Sequence, residues 1–526
     1  LSINLGGVYS DEAYPACGSL QVLKQKGPFM ISFKLFNRYF PFMLCDYHSA
    51  LESYILLPFF ILFGINVIAL RLCPIIFEMF SLIFLYIFLK ELFNKKVAFI
   101  TLFLLIINSL FLYFVKTGLN TASLLHFTSI TSLFLLWKWY KQKKNIYFYL
   151  AALLLGIGIS IRSWFLWFVN ALIILSILFI NKLKDNLKKK ILRYTIFGVL
   201  FFSLGIILFI IYNFKSNFAT VRYTVKHFYH TRGAVNNFKY FPNLNMRFLV
   251  FLRCINNSWT LHEEGSWINA ITVAKNYYVS KNTTSFTVFF TSFIYLIFSI
   301  IFKEGLFSYK RKLFIILIFI LIFLQSPLTL SHLGGPHLFI LYPFIQIIEA
   351  IGIVELIELF KKSKTMLAIM SCILLIFIFE EINATFRNNY LYFLKTGGSG
   401  NNSDAIYSLT KWLKENKYYA PVTLDWGMYH NIIFISKGEI VPITFDYIIK
   451  QDKKRYKFIK ECKKMLKYKD NTIYISHSQE FSNFPEVYGI FIYLVKKLNK
   501  NVKEIKKFYQ RDGKEVFVVY STNVNK

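Results

Sequence analysis

Residues 66–96 read NVIALRLCPIIFEMFSLIFLYIFLKELFNKK. Within residues 66–89 the only charges are Arg71 and Glu78, and the run closes on Lys90, Lys95 and Lys96. At about 1.5 Å rise per residue such a helix exceeds the roughly 30 Å of a bilayer's hydrocarbon layer. It is apolar on every side rather than on one stripe, which a helix on the surface of a soluble protein does not tolerate. This stretch is a transmembrane span with a basic end.

The pattern repeats outward along the chain. Ten spans are expected, near 66–89, 97–115, 121–137, 146–163, 164–181, 192–212, 284–302, 313–331, 337–360 and 365–381. The composition agrees: 526 residues are 56% hydrophobic and only 17% charged, against about a quarter charged in soluble chains.

Every second loop is basic. Lys90, Lys95 and Lys96 are followed by Lys138, Lys141, Lys143 and Lys144, then by the Lys-rich stretch 182–193, then by Lys303, Lys310, Arg311 and Lys312, and last by Lys361, Lys362 and Lys364. The intervening short loops hold Lys116, Arg162 and almost no other charge. By the positive-inside rule the basic loops are cytoplasmic. The excess of 61 Lys+Arg over 28 Asp+Glu would suggest nucleic acid in a soluble protein. Concentrated in short loops, it answers to membrane orientation and anionic lipid instead, and no nucleic-acid partner is expected.

Three regions then fall outside: residues 1–65, the loop 213–283, and everything after 381. The fold class is an α-helical polytopic membrane protein with a C-terminal extracytoplasmic α/β domain. Residues 1–65 form an outer N-terminal segment whose apolar run Tyr54–Gly64 is too short to span and reads as an interfacial or re-entrant helix. Residues 66–389 form the bundle, and 390–526 the tail domain. An outer N-terminal segment needs a span or signal to deliver it, and the sequence begins at Leu1 rather than Met, so a preceding span is expected beyond it. In the tail, Ser403–Lys417 reads as a capped helix, Pro421–Asp425, Asn471–Ser476 and Glu515–Ser521 as strands, and 451–468 and 485–499 as helical. Thr396-Gly-Gly-Ser-Gly400 reads as the hinge before it.

The six cysteines show no metal-type spacing. Cys73 and Cys372 sit in apolar runs and read as packing residues, and Cys17 and Cys45 could pair if both face an oxidising space. His262-Glu-Glu264 lacks a second His at helical spacing. No metal or cofactor is therefore expected, with a divalent metal left open.

Chemistry-bearing residues gather at the outer ends of the spans, with Glu78 as the main exception. Ser10-Asp-Glu-Ala-Tyr14 places an acidic pair just outside the membrane, and Asp46-Tyr-His48 and Glu52 follow. Lys116 and Asn120 lie at one outer helix end, Arg162 at another, and Ser331-His-Leu-Gly-Gly-Pro-His337 adds two histidines. Carboxylates facing cations at a membrane surface suit an acceptor hydroxyl attacking a lipid-linked phosphate ester. A transporter would instead place ionisable groups near the midplane.

In order and spacing these residues resemble the GT-C type of membrane glycosyltransferase, nearest the dolichyl-phosphate-mannose protein mannosyltransferase and aminoarabinose transferase group. The resemblance runs through Asp11-Glu12, Tyr47–Leu51 and Tyr54, Phe63-Gly64 with Arg71, Glu91-Leu-Phe93, Lys116 with Asn120, and Gly156-Ile-Gly158 before Arg162. The His332–Pro343 stretch and the outer tail extend it to bacterial members. It implies a GT-C-like bundle and inverting transfer of a hexose or pentose from a polyprenyl-phosphate sugar to a glycan, lipid or protein acceptor. It further implies Asp11 as general base and Lys116 and Arg162 on the donor phosphate. Glu12, His48, Glu52, Asn120, His332 and His337 are candidate substrate contacts, and the location is a bacterial or archaeal plasma membrane. The competing readings are a transporter or flippase for lipid-linked glycans, or a non-catalytic assembly partner.

Overall fold

The computed structural model describes residues 3–118, 121–179, 191–229, 235–258, 284–444, 466 and 472–524. Asn120, the 182–190 part of the third basic loop, His262-Glu-Glu264 and the helix expected near 451–468, apart from Leu466, lie outside the described residues.

Helices occupy all ten expected spans. Among the described residues four are long and apolar enough to cross a membrane alone: Val67–Leu92, Thr284–Ile301, Gly335–Leu359 and Lys364–Thr396. Two more qualify as bent pairs, Lys95–Ile107 with Ser109–Thr117 (71°) and Arg193–Gly205 with Ile207–Lys215 (72°). The chain is an integral membrane protein. The first bend has a local cause: Asn108 ends one helix and caps the next, its side chain accepting from Phe111 N. Gly335–Leu359 is the axis of the bundle, with 89% of its apolar window buried against 11% for the peripheral Lys364–Thr396.

Three of the basic loops meet at one end. Glu91 binds Lys138 (2.6 Å) and Lys141 (3.3 Å), and Arg311 donates to Leu92 O at 2.6 Å. The opposite end is called outer below. At mid-chain, Gly156 and Gly205 let two helices touch backbone to backbone: a Cβ on Gly156 would lie 2.3 Å from Phe202 O, and one on Gly205 2.5 Å from Leu153 O.

Charges inside the spans are more numerous than the sequence suggested. Glu78 faces His126 at 3.2 Å, and Lys312 is buried against Glu355 at 3.2 Å. Glu349 and Glu381 are also buried. Each lies in or at the end of an apolar run, where one carboxylate hardly lowers mean hydropathy.

The outer segment holds an element that apolar-run reading misses. Strands β1 (Ile31–Leu35), β2 (Arg38–Cys45) and β3 (His48–Ser49) form an antiparallel sheet. Leu35 pairs with Arg38, so the hairpin turn is Phe36-Asn37, both at positive φ, as a two-residue turn requires. This sheet packs beside the helix Ser10–Lys24 and leads into Leu51–Phe63, the apolar helix expected at Tyr54–Gly64. Cys17 and Cys45 are both free thiols, so the contemplated disulfide is absent: Cys17 is buried against His430 O, and Cys45 lies against His48. Cys73 packs in the core, whereas Cys372 is exposed on the bundle's periphery.

The tail carries a five-stranded sheet in the order β5 (Ile443–Thr444), β4 (Val422–Thr423), β6 (Ile473–His477), β8 (Glu515–Val524), β7 (Lys500–Tyr509). Helices Ala405–Glu415 and Pro485–Lys497 fall where expected. β7 was not anticipated because its Lys-rich face alternates with few apolar residues. The glycine stretch 397–400 is tied rather than loose: Asp404 N donates to Gly397 O at 2.9 Å, Arg511 clamps Asp404 at 2.6 Å, and Gly7 N donates to Asn402 O at 2.9 Å. Tail and outer segment also share a core, in which Ile433 and Phe434 pack with Ala13, Ala16 and Cys17.

Orientation is testable by labelling. In a cysteine-free background, a cysteine at the exposed Lys411 is expected to react with a membrane-impermeant thiol reagent in intact cells, and one at the exposed Lys144 is not. Ser403 is buried and would be a poor reporter. Labelling at position 144 from outside contradicts the assigned orientation.

Candidate active site

The helix Ser10–Lys24 starts with Asp11 and Glu12 in its first turn, where carboxylates favour the exposed N–H groups. The two side chains part. Glu12 accepts from Tyr9 N at 3.1 Å and forms a buried pair with Arg71, whose Nε donates to Glu12 Oε1 at 2.5 Å. Arg71 also donates to the carbonyls of Ile3, Leu5 and Gly7 at 2.7, 3.3 and 3.0 Å. This pair fastens the start of the outer segment to the span Val67–Leu92. Asp11, half-buried, is left to face the Arg162 charge.

Arg162 ends the helix Asn145–Ile161, where extended backbone at the C-cap turns its side chain from the bundle axis toward the outer segment. It is buried, and its Nη1 donates to His48 Nδ1 at 3.0 Å. Glu52, on Leu51–Phe63, also feels Arg162 and Asp11. Loss of water raises the Asp11 pKa above the ordinary carboxylate value, and Arg162 pulls it partly back. Burial pushes Glu52 up to about 8, with Arg162 opposing and Asp11 adding to the rise. At neutral pH Glu52 therefore keeps its proton.

Lys116 stands apart from Arg162. Its Nζ is buried without a hydrogen-bond partner among the described residues and lies 4.3 Å from the Phe393 ring centroid. Near it, a small cavity between the outer segment and the bundle is lined by Glu12, Glu52, Thr117 and Thr121 together with apolar residues such as Leu56 and Leu124.

The two histidines of the 331–337 turn stack at 4.7 Å between centroids. Arg247, fully buried, holds this turn: it donates to Ser326 O and Gly334 O, both at 2.9 Å, and approaches His337 Nδ1 at 3.3 Å. Burial and the Arg247 charge hold His332 down to about 3, so it is neutral. Trp164 and Trp167 face His337 at 5.8 and 6.4 Å. Arg247 was missed from the sequence. It lies in the helix Tyr240–Ile255, where one Arg in an amphipathic pattern carries no signal that its side chain turns inward.

Of the expected site residues, Asp11, Glu52, His48 and Arg162 come together. His332 and His337 form a second group with Arg247, Glu12 serves in a structural ion pair, and Lys116 lies beside that pair. Among the described residues no group of three or more His, Cys, Asp or Glu is placed to hold a metal ion.

The architecture, an outer segment and an outer α/β domain over a helical bundle, is that of the GT-C type of membrane glycosyltransferase. Residues 48–209 match the family model described as dolichyl-phosphate-mannose-protein mannosyltransferase. The chain superposes on the crystal structure of ArnT from Cupriavidus metallidurans bound to undecaprenyl phosphate, with TM-score 0.60 and 10% identity over 98% of this chain and 95% of that one. It also superposes on the oligosaccharyltransferase AglB from Archaeoglobus fulgidus, in complex with an inhibitory peptide and a dolichol-phosphate, with TM-score 0.53 and 13% identity over 99% of this chain and 71% of that one. No curated protein sequence matches the chain.

Proposed function

We propose that the protein is an inverting glycosyltransferase that moves a sugar from a polyprenyl-phosphate donor to an acceptor hydroxyl at the outer membrane face. The observation that carries this reading is the placement of Asp11 where its carboxyl feels the Arg162 charge, with His48 and Glu52 grouped at the same outer end. The family model and the lipid phosphates in the neighbouring structures' descriptions support it.

Asp11 takes the proton from the acceptor oxygen as that oxygen bonds to the anomeric carbon. The bond from that carbon to the phosphate oxygen breaks on the opposite face, and polyprenyl phosphate leaves. Lys116, whose amine has no hydrogen-bond partner among the described residues, would meet the donor phosphate, and Arg162 would hold charge nearer the sugar. Neutral His332, His337 and the Trp164–Trp167 face suit the flat faces and hydroxyls of a sugar or acceptor.

Protonation makes this reading testable. The base must be ionised, so kcat/KM should fall as pH drops through the raised Asp11 pKa. Arg162→Gln removes the charge that lowers this pKa, so the acidic limb should move to higher pH as well as lose height. An unmoved limb contradicts the electrostatic coupling of the two charges.

The transporter reading draws on ionisable residues inside the spans, of which Glu78–His126 and Lys312–Glu355 are closed pairs and Glu349 and Glu381 are buried carboxylates lining one cavity. In proteoliposomes the proposed enzyme should cleave its donor rather than carry it intact to the other leaflet.

A further inference from the structure

Away from the Asp11 site, one cavity inside the bundle is lined by acceptors. Asn108 from the helix break, Ser285 from the start of Thr284–Ile301, Gln346 and Glu349 from Tyr342–Leu359, and Glu381 from Lys364–Phe386 meet there. Asn257, just past the end of Tyr240–Ile255, backs Glu381. Five segments distant in sequence thus converge on two carboxylates.

The hydrogen-bond inventory does not balance. Glu381 Oε1 accepts from Ser285 Oγ at 2.5 Å and Asn257 Nδ2 at 3.0 Å, and its Oε2 from Asn108 Nδ2 at 3.3 Å. Asn108 has its own oxygen committed to Phe111 N. Glu349, 4% exposed, receives no hydrogen bond among the described residues. Among the described residues Gln346 Oε1, buried at the border of the cavity, has no hydrogen-bond partner, and neither has the buried Asn257 Oδ1. The lining contains no Lys, Arg or His. Buried acceptors left facing one another are costly in an apolar medium. Carboxylate and amide oxygens without sulfur or imidazole are the ligand set of hard cations rather than of zinc or copper. Two carboxylates match a charge of +2.

We propose that this cavity binds one divalent cation of the Mg²⁺/Ca²⁺ class through Glu349 and Glu381, with Gln346 Oε1 as a further ligand. The ion would fasten the helix that ends the outer loop, and the peripheral Lys364–Phe386, to the central helix. It takes no part in sugar transfer, so the site stands or falls independently of that chemistry.

The test uses the full-length protein purified in detergent, stripped with EDTA and dialysed. It is titrated separately with CaCl₂ and MgCl₂ by calorimetry, and its melting temperature is followed with and without each ion. One ion per chain and a raised melting temperature are expected with at least one of them. Glu349→Gln should weaken binding by at least about tenfold and Gln346→Leu by less. Should Glu349→Gln fail to fold, Gln346→Leu carries the comparison. The proposal is overturned if the wild type binds neither ion, if either variant binds as tightly as wild type, or if Glu349→Gln melts higher than wild type irrespective of metal, which would identify Glu349 as a neutral carboxylic acid.

Discussion

Asp11→Asn is expected to lower turnover by roughly 10²–10⁴-fold, the range for removing a positioned general base. The substitution preserves shape and hydrogen bonding but cannot accept a proton from the acceptor hydroxyl. Donor affinity should change far less, because the phosphate is assigned to cations. Asp11→Glu should recover little: Asp11 sits in the first turn of Ser10–Lys24 beside Glu12, which Arg71 anchors, so an added methylene displaces the carboxylate without a compensating shift of the helix. Lys116→Ala should show the other pattern, weaker donor binding together with slower turnover. Single-turnover kinetics beside equilibrium donor binding separate the two. A loss of donor binding in Asp11→Asn equal to its loss of rate would place Asp11 in donor binding and leave the base unassigned.

The second large effect is on stability. Arg71 and Glu12 are buried, at 1% and 3% residue exposure, and their side chains meet at 2.5 Å. Arg71→Ala leaves a buried carboxylate without its cation and frees the carbonyls of Ile3, Leu5 and Gly7. Removing one partner of a buried pair costs about 3–5 kcal/mol. Thermal unfolding in detergent should show that loss, with the outer segment opening first under limited proteolysis. The double change Arg71→Met with Glu12→Leu should recover much of it, because the unpaired charge is then gone. Wild-type stability in Arg71→Ala would mean that the pair does not anchor the segment.

The spans were legible in the sequence because burial in lipid demands continuous apolar runs, as at 66–89, and because loop charge alternates between the two faces. Their bends were harder to read. Asn108-Ser109 is a capping signal inside an apolar run, and hydropathy alone passes over it. The hairpin at Phe36-Asn37 carries only a weak turn signal, and β7 is masked by its lysines. Grouping in space was the main thing the sequence withheld. Lys116 and Arg162 look equivalent as lone cations at outer helix ends, yet one lies beside the Arg71–Glu12 pair and Phe393 and the other against His48. Arg247 and the Glu349–Glu381 cavity depend on contacts between segments far apart in sequence, which no local pattern records. The adjacent Asp11 and Glu12 looked alike in sequence, and only the position of Arg71 separates the structural carboxylate from the candidate base.

The claim of sugar transfer at Asp11 is tested most directly by following one polyprenyl-phosphate hexose donor with purified protein in nanodiscs, together with a panel of glycan, lipid and peptide acceptors. The measured quantity is free polyprenyl phosphate formed per protein molecule, for wild type and for Asp11→Asn matched in folded amount. The account predicts multiple turnovers that depend on an acceptor in the wild type, and release slower by roughly 10²–10⁴-fold in the variant. Equal release by both proteins, or a donor left intact by the wild type with every acceptor, would contradict it.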